Sequence, residues 1–73
     1  MAYELWDVEF GNLLADFATE DAALAVVRDT VEARGADSIT HLALAYEDEN
    51  GDTHPIAAGL ALANRAHRSV SMR

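Results

Sequence analysis

A chain of 73 residues, 51% of them apolar and none of them cysteine, is expected to form one small domain without disulfides, thiolate zinc sites or cysteine nucleophiles. Its 13 carboxylates and five arginines give a formal net charge of −8, which disfavours nucleic acid and anionic membranes as partners. The longest apolar run, residues 22–27, is far shorter than the roughly 20 residues of a membrane-spanning helix.

Residues 3–17 are predicted to form a β-hairpin. Apolar and polar side chains alternate along residues 3–10, which is typical of a strand with one buried face. Gly11-Asn12 then supplies two residues that tolerate the positive φ of a tight hairpin turn. With these two residues as the corner, the paired side chains on one face are all apolar: Phe10 with Leu13, Val8 with Ala15, and Trp6 with Phe17. We therefore expect Trp6 to lie in the core.

An α-helix is predicted over residues 19–34. Thr19 is a favourable N-cap, and two acidic residues follow it where the helix dipole favours negative charge. Apolar side chains recur at helical spacing and mark the face toward the core: Leu24, Val27 and Val31. Gly35 is placed to end the helix.

The second half of the chain is predicted to hold a strand, an acidic turn and a second helix. Residues 39–47 alternate, and three of them form the predicted core face: Leu42, Leu44 and Tyr46. Residues 47–52 turn at Asn50-Gly51. Because Pro55 cannot donate to a sheet, residues 52–55 pair at most as an edge strand. A helix over residues 56–67 then places apolar residues inward: Ile56, Leu60 and Ala63.

These elements predict an α+β domain of the order ββαβ(β)α. The first helix carries the chain back across the sheet, so that the third strand lies antiparallel beside the first. We expect a small antiparallel sheet in the spatial order 2-1-3-4 with both helices on one face. The domain is expected to span residues 1–68, and residues 69–73 are expected to form a mobile tail.

The face of this sheet without helices is expected to expose apolar side chains: Tyr3, Leu5 and Leu14. A patch of this kind often marks an interface, and small domains often cover such a face by self-association. We therefore predict a homodimer or homo-oligomer. A monomer with a half-solvated antiparallel sheet is the alternative.

The predicted register also places Asp7 opposite Asp16, with Glu9 diagonally close. Like charges directly opposite each other are unfavourable, so this cluster is a candidate site for a divalent cation, a shared proton or an arginine of a partner. Screening of exposed carboxylates explains the same arrangement without a ligand. We predict no metal and no cofactor.

No catalytic constellation accompanies these residues. His41, His54 and His67 lack the spacing of a helical metal site, and residues 47–52 lack the closing glutamate of a calcium loop. No serine lies in a nucleophile-elbow motif, and no glycine loop is present to cradle phosphate. We therefore predict that the protein is not an enzyme.

Charge is unevenly distributed along the chain. Residues 1–52 hold 13 acids and two arginines, whereas residues 53–73 hold three arginines and no acid. An alternative function is therefore a nucleic-acid-linked regulator of antitoxin type that uses Arg65, Arg68 and Arg73. The acidic body and the lack of aromatic residues among these arginines disfavour it, and Arg65 and Arg68 also suit the C-terminal end of a helix.

Most of residues 3–63 resembles a family of short uncharacterised bacterial proteins. The motifs are an aromatic-x-LWD-x-x-x-GN hairpin, a TE-x-x-AL-x-x-V helix start, an LAL strand with an acidic turn, and a PIA-x-G helix, here at residues 3–12, 19–27, 42–52 and 55–59. This resemblance implies no activity, cofactor or site. A hairpin followed by an EAL-type helix also resembles HicB-like antitoxins, although the Gly-Asp-Thr approach to the helix and a DNA-binding appendage are missing.

The sequence thus predicts a non-enzymatic protein-interaction or regulatory module that self-associates through the helix-free face of its sheet. The partner is expected to be a second copy or another protein with a basic or apolar surface. The first residues lack the basic and apolar segments of a secretory signal, so we expect a cytoplasmic location.

Overall fold

The computed structural model describes the backbone of residues 2–71 and the side chains of residues 2–68. The elements follow in the order β1 (Ala2–Asp7), β2 (Asn12–Phe17), α1 (Glu20–Arg34), a 3-10 turn (Ala36–Ile39), β3 (Leu42–Glu47), β4 (Thr53–Ala58) and α2 (Gly59–Ser71). This confirms the predicted ββαβ(β)α order, with the fourth strand present.

The strands form one antiparallel sheet in the order β2-β1-β3-β4. Because α1 returns the chain across the sheet, β3 pairs with β1 rather than with β2. α1 packs on β1 and β2, whereas α2 packs on β3 and β4. The predicted α+β fold, with spatial order 2-1-3-4 and both helices on one face, is confirmed.

The core lies between the helices and one face of the sheet. Its buried side chains come from the sheet, the 3-10 turn and both helices: Leu5, Ala23, Leu24, Val27, Ile39, Leu42, Leu44, Leu62 and Ala66. The predicted core face of β3 is confirmed for Leu42 and Leu44, whereas Tyr46 is half-buried and its ring lies 5.0 Å from that of Tyr3. Several of these side chains are small, so the free energy gained from their burial is modest.

α1 begins and ends where the sequence predicts. The Thr19 hydroxyl accepts the backbone N–H of Ala22 at 3.1 Å, which satisfies a donor of the first turn. Gly35 adopts a φ of 86°, and its N–H donates to the carbonyl of Val31 at 2.7 Å. The predicted apolar stripe is confirmed at its centre, where Val27 is fully buried.

The hairpin between β1 and β2 has a four-residue loop, residues 8–11, instead of the predicted two-residue corner. The Asp7 carboxylate accepts the backbone N–H groups of Glu9 at 2.9 Å and Phe10 at 3.2 Å. The Asp7 carbonyl accepts the N–H of Gly11 at 2.8 Å, and Gly11 has a φ of 73°. These hydrogen bonds end β1 at Asp7, so the predicted corner is wrong.

The longer loop, together with a β-bulge between Leu5 and Trp6, changes the faces of β1 relative to the prediction. Tyr3 pairs with Phe17, and Leu5 pairs with Ala15. The predicted corner would have paired Phe17 with Trp6. Because strand side chains alternate between faces, Tyr3 and Leu5 lie toward the helices and Trp6 lies on the opposite face. The predictions that Tyr3 and Leu5 are on the helix-free face and that Trp6 is in the core are therefore wrong.

β4 occupies what was expected to be the first turn of the second helix. Pro55 lies in this edge strand, as its missing N–H predicts, and Ile56 packs on the core from the strand. α2 begins at Gly59, whose φ of 57° allows the change from strand to helix. The later start rotates the helix: Leu62 is buried, whereas Leu60, predicted to face inward, is 60% exposed.

α2 includes residues 69–71, which the sequence assigned to a mobile tail, and residues 72–73 lie outside the described residues. Mobility of the tail stays a prediction. Arg73, one of the arginines of the nucleic-acid alternative, also lies outside the described residues. Of the helices in residues 2–71, none has the length and apolar character needed to cross a membrane.

Candidate interaction surface

No helix within the described residues covers the second face of the sheet, which we call the helix-free face. Strand pairing arranges its side chains in rows that run from β2 to β4. The first row, next to the hairpin loop, is apolar: Leu13, Trp6, Ala43 and Ala58. The second row combines two acids with two small residues: Asp16, Glu4, Ala45 and Pro55. A β-bulge adds Leu14 beside the first row.

Exposed apolar side chains concentrate at the hairpin end of this face, which we call the apolar end. Four large apolar side chains between residues 8 and 14 are exposed: Val8 by 57%, Phe10 by 72%, Leu13 by 45% and Leu14 by 52%. The predicted core positions of Val8, Phe10 and Leu13 are therefore wrong, and the predicted exposure of Leu14 is confirmed. Complete burial of a side chain of this size is worth about 1.5–3 kcal/mol, so the apolar end favours contact with another surface.

Side-chain size differs between the two halves of the helix-free face. β2 and β1 carry long side chains: Leu13, Leu14, Trp6, Asp16 and Glu4. β3 and β4 carry short side chains in the same two rows: Ala43, Ala58, Ala45 and Pro55. Glu4 and Ala45, which pair in the second row, are only 8% and 7% exposed.

Glu4 and Trp6 form a hydrogen-bonded pair on the helix-free face. The Trp6 indole Nε1 donates to the Glu4 carboxylate at 3.2 Å. Glu4 is only 8% exposed, although no helix of the described residues covers it. An indole N–H without a partner costs free energy when it is buried, so this bond satisfies the N–H of the half-buried Trp6.

The predicted cluster of Asp7, Asp16 and Glu9 is not assembled. Asp7 lies opposite Asn12 and binds N–H groups of the loop, whereas Asp16 lies opposite Glu4. In the part of the chain that the structure describes, no group of three or more histidine and acidic side chains is placed to hold a metal ion. The pairing of Asp7 with Asp16 is therefore wrong, and the acidic pair across the hairpin is Glu4 with Asp16.

The turn between β3 and β4 is closed by Asp48. Its Oδ1 accepts the backbone N–H groups of Asn50 at 2.9 Å and Asp52 at 3.0 Å, and its Oδ2 lies 2.7 Å from His54 Nε2. The hydrogen bond from His54, followed by that from the Asp52 N–H, lowers the pKa of Asp48. Because this turn is longer than a two-residue corner at Asn50-Gly51, His54 pairs with Tyr46, and Glu47 pairs with Thr53.

Arg65, one of the arginines in the nucleic-acid alternative, joins the two helices. Its Nε donates to the Glu20 carboxylate at 2.5 Å, which raises the pKa of Arg65. The Arg65 side chain is 41% exposed, and an ion pair of this kind contributes at most about 1 kcal/mol. Glu20 thus neutralises one of the charges on which nucleic-acid binding would depend.

The sequence did not identify four apolar residues as part of the surface: Trp6, Leu13, Val8 and Phe10. The last two lie in the hairpin loop. The signal that locates them is Asp7, because an aspartate that ends a strand accepts loop N–H groups and starts a turn. Reading the turn from Asp7 places Val8 and Phe10 in the loop, whereas the side on which Trp6 and Leu13 lie also depends on the β-bulge at Leu14.

Comparisons of the chain with family models, curated proteins and solved structures return no match. The two resemblances described above therefore stay predictions.

Proposed function

We propose that the protein is a non-enzymatic interaction module that self-associates through its helix-free face. The observation that carries this proposal is the position of Trp6, Leu13 and Leu14 on a sheet face that no described element covers. Apolar surface of this kind gains free energy when a second apolar surface excludes water from it.

A second copy would bring the same apolar end to the contact.

The distribution of charge limits what else can bind there. The described arginines lie on the two helices: Arg28, Arg34, Arg65 and Arg68. The charged side chains that strand pairing places on the helix-free face are all carboxylates: Glu4 and Asp16 in the second row, and Glu47, which pairs with Thr53. The first row holds no charged side chain, whereas Glu9 is exposed in the loop between Val8 and Phe10.

The lack of cysteine in all 73 residues supports a reducing compartment, because the fold needs no disulfide. We place the module in the cytoplasm on this ground.

Sedimentation velocity at micromolar concentrations tests the proposal. Wild-type protein is expected to sediment as a dimer that dissociates on dilution, and Leu14→Glu is expected to sediment as a monomer because it buries a charge in the contact. Leu60→Glu is the matched control, since Leu60 is 60% exposed on α2, away from the helix-free face. A wild-type monomer, or equal loss of the dimer in both variants, would contradict the proposal.

A further inference from the structure

The hairpin of β1 and β2 combines exposed apolar side chains with unpaired negative charge. Residues 2–17 contain four carboxylates and no arginine, lysine or histidine. Two of the carboxylates have partners within the hairpin, because Glu4 accepts an indole N–H and Asp7 accepts N–H groups of the loop. The other two are exposed, Glu9 in the loop and Asp16 on β2. Within the described residues, no hydrogen bond or ion pair engages the side chain of either.

These two carboxylates border the apolar end. Glu9 lies in the loop between Val8 and Phe10, and Asp16 lies on β2 two residues beyond Leu14. A partner that excludes water from this end also takes water from its border, and a desolvated carboxylate without a counter-ion costs free energy. A partner that carries basic side chains beside its apolar ones avoids this cost.

We infer that the apolar end binds a basic amphipathic segment of another protein. Apolar side chains of the segment contact Phe10, Leu13 and Leu14, which gain free energy on leaving water. Its arginine or lysine side chains pair with the carboxylates of Glu9 and Asp16. The inference goes beyond self-association, because the partner is a different protein of opposite charge.

Charge complementarity identifies the chemistry of the partner. The described arginines lie on the two helices, on the other side of the sheet, and two of them already pair with acids of those helices: Arg28 with Asp29, and Arg65 with Glu20. The positive charge that the border of the apolar end lacks therefore comes from another chain. The formal charge of −8 also attracts a basic partner and speeds its approach.

Binding of a model peptide tests the inference. The probe is a helical peptide with leucine along one face and arginine along both borders of that face, and the control peptide has glutamate in place of arginine. The full-length protein is captured at low density on an interferometry sensor, so that the peptide meets single copies. The arginine peptide is expected to bind at least about tenfold more tightly than the glutamate peptide. Equal binding of the two peptides would overturn the inference.

A pair of apolar variants locates the binding. Phe10→Ser removes a side chain that is 72% exposed at the apolar end, and it is expected to raise the dissociation constant of the arginine peptide about tenfold. Leu60→Ser, at a position 60% exposed on α2, is the matched control and is expected to leave the dissociation constant unchanged. Equal effects would indicate general attraction to an acidic protein and would overturn the inference.

A pair of charge variants tests the border. Glu9→Gln removes one of the bordering carboxylates and is expected to raise the dissociation constant about threefold and to reduce its dependence on salt. Glu49→Gln makes the same change of charge at an exposed position in the turn between β3 and β4. An effect of Glu49→Gln as large as that of Glu9→Gln would contradict the inferred pairing.

Salt separates this inference from the proposed self-association. Added salt is expected to weaken binding of the arginine peptide, because it screens opposite charges, whereas it reduces the repulsion between two acidic copies. A chain that binds the peptide and stays monomeric at every concentration would overturn self-association and leave this inference intact. A dimer whose dissociated copies bind neither peptide would overturn this inference alone.

Discussion

At the scale of single residues, Asp7 ends β1 and begins the hairpin loop. Its carboxylate holds the N–H groups of Glu9 and Phe10 and ends the strand before the predicted corner. Next to this loop the pairing differs from the predicted one by four residues, since Trp6 pairs with Leu13, and beyond the β-bulge at Leu14 it differs by three, since Tyr3 pairs with Phe17. Because only a change by an odd number of residues exchanges the two faces of a strand, the position of Trp6 on the helix-free face depends on the bulge as well as on the loop.

Replacing Asp7 tests this role. Asp7→Ala removes the acceptor of two loop hydrogen bonds and is expected to lower the free energy of unfolding by about 1 kcal/mol. Asp7→Asn keeps an acceptor oxygen and is expected to lose less. Urea denaturation measures both, and an alanine variant as stable as the wild type would contradict the assignment.

Asp48 makes a pH-dependent contribution to stability. Its pKa is lowered in the folded state, first by the hydrogen bond from His54 and then by that from the Asp52 N–H. The carboxylate therefore stabilises the fold at pH values above its unfolded pKa of about 3.9, and this stabilisation is lost as the pH falls through the lower pKa of the folded state.

The Asp48→Asn variant is accordingly expected to be less stable than the wild type near neutral pH and to approach it in acid. Denaturation across this pH range measures the difference. Glu49→Gln, which removes an exposed carboxylate of the same turn, is the matched control. A constant difference between Asp48→Asn and the wild type at every pH would contradict the pairing with His54.

At the scale of elements, the junction between β4 and α2 depends on Gly59. Its φ of 57° is unfavourable for a residue with a side chain, and an added Cβ would lie 3.6 Å from the Thr40 carbonyl oxygen. Gly59→Ala is expected to cost about 1 kcal/mol in unfolding free energy, and Gly59→Asn less, because asparagine tolerates this region better. Thermal or urea unfolding measures the stability of both variants. A Gly59→Ala variant as stable as the wild type would contradict this role of Gly59.

The elements differ in how far sequence predicts them. Thr19 and Gly35 mark the ends of α1 by local hydrogen bonding, and the strand order follows from the handedness and length of connections. Local signals of this kind do not determine which face of β1 lies toward the core. Large apolar residues occupy both of its faces, with Leu5 on one and Trp6 on the other, so alternation alone fits either register.

The candidate surface was predictable only in part for the same reason. The sequence identifies a helix-free face and the exposure of Leu14, because both depend on topology. It assigns the wrong aromatic residue to that face, Tyr3 instead of Trp6, because the assignment depends on register.

At the scale of the whole molecule, charge opposes the association that the apolar end favours. Each copy carries a formal charge of −8, so two copies repel each other at low ionic strength. The dimer is expected to become tighter as salt increases to about 0.15 M, where the Debye length is about 8 Å. Sedimentation in a salt series measures this, and weaker association with added salt would indicate contacts between opposite charges instead.

The central claim is that association buries the helix-free face, and the chain reports on that face through its one tryptophan. Fluorescence of Trp6 over a dilution series is the most direct measurement. The emission maximum is expected to move to shorter wavelength as the concentration rises through the same midpoint as the sedimentation transition, because the indole leaves water. An emission spectrum that stays constant while the protein dimerises, or a chain that never dimerises, would contradict the claim.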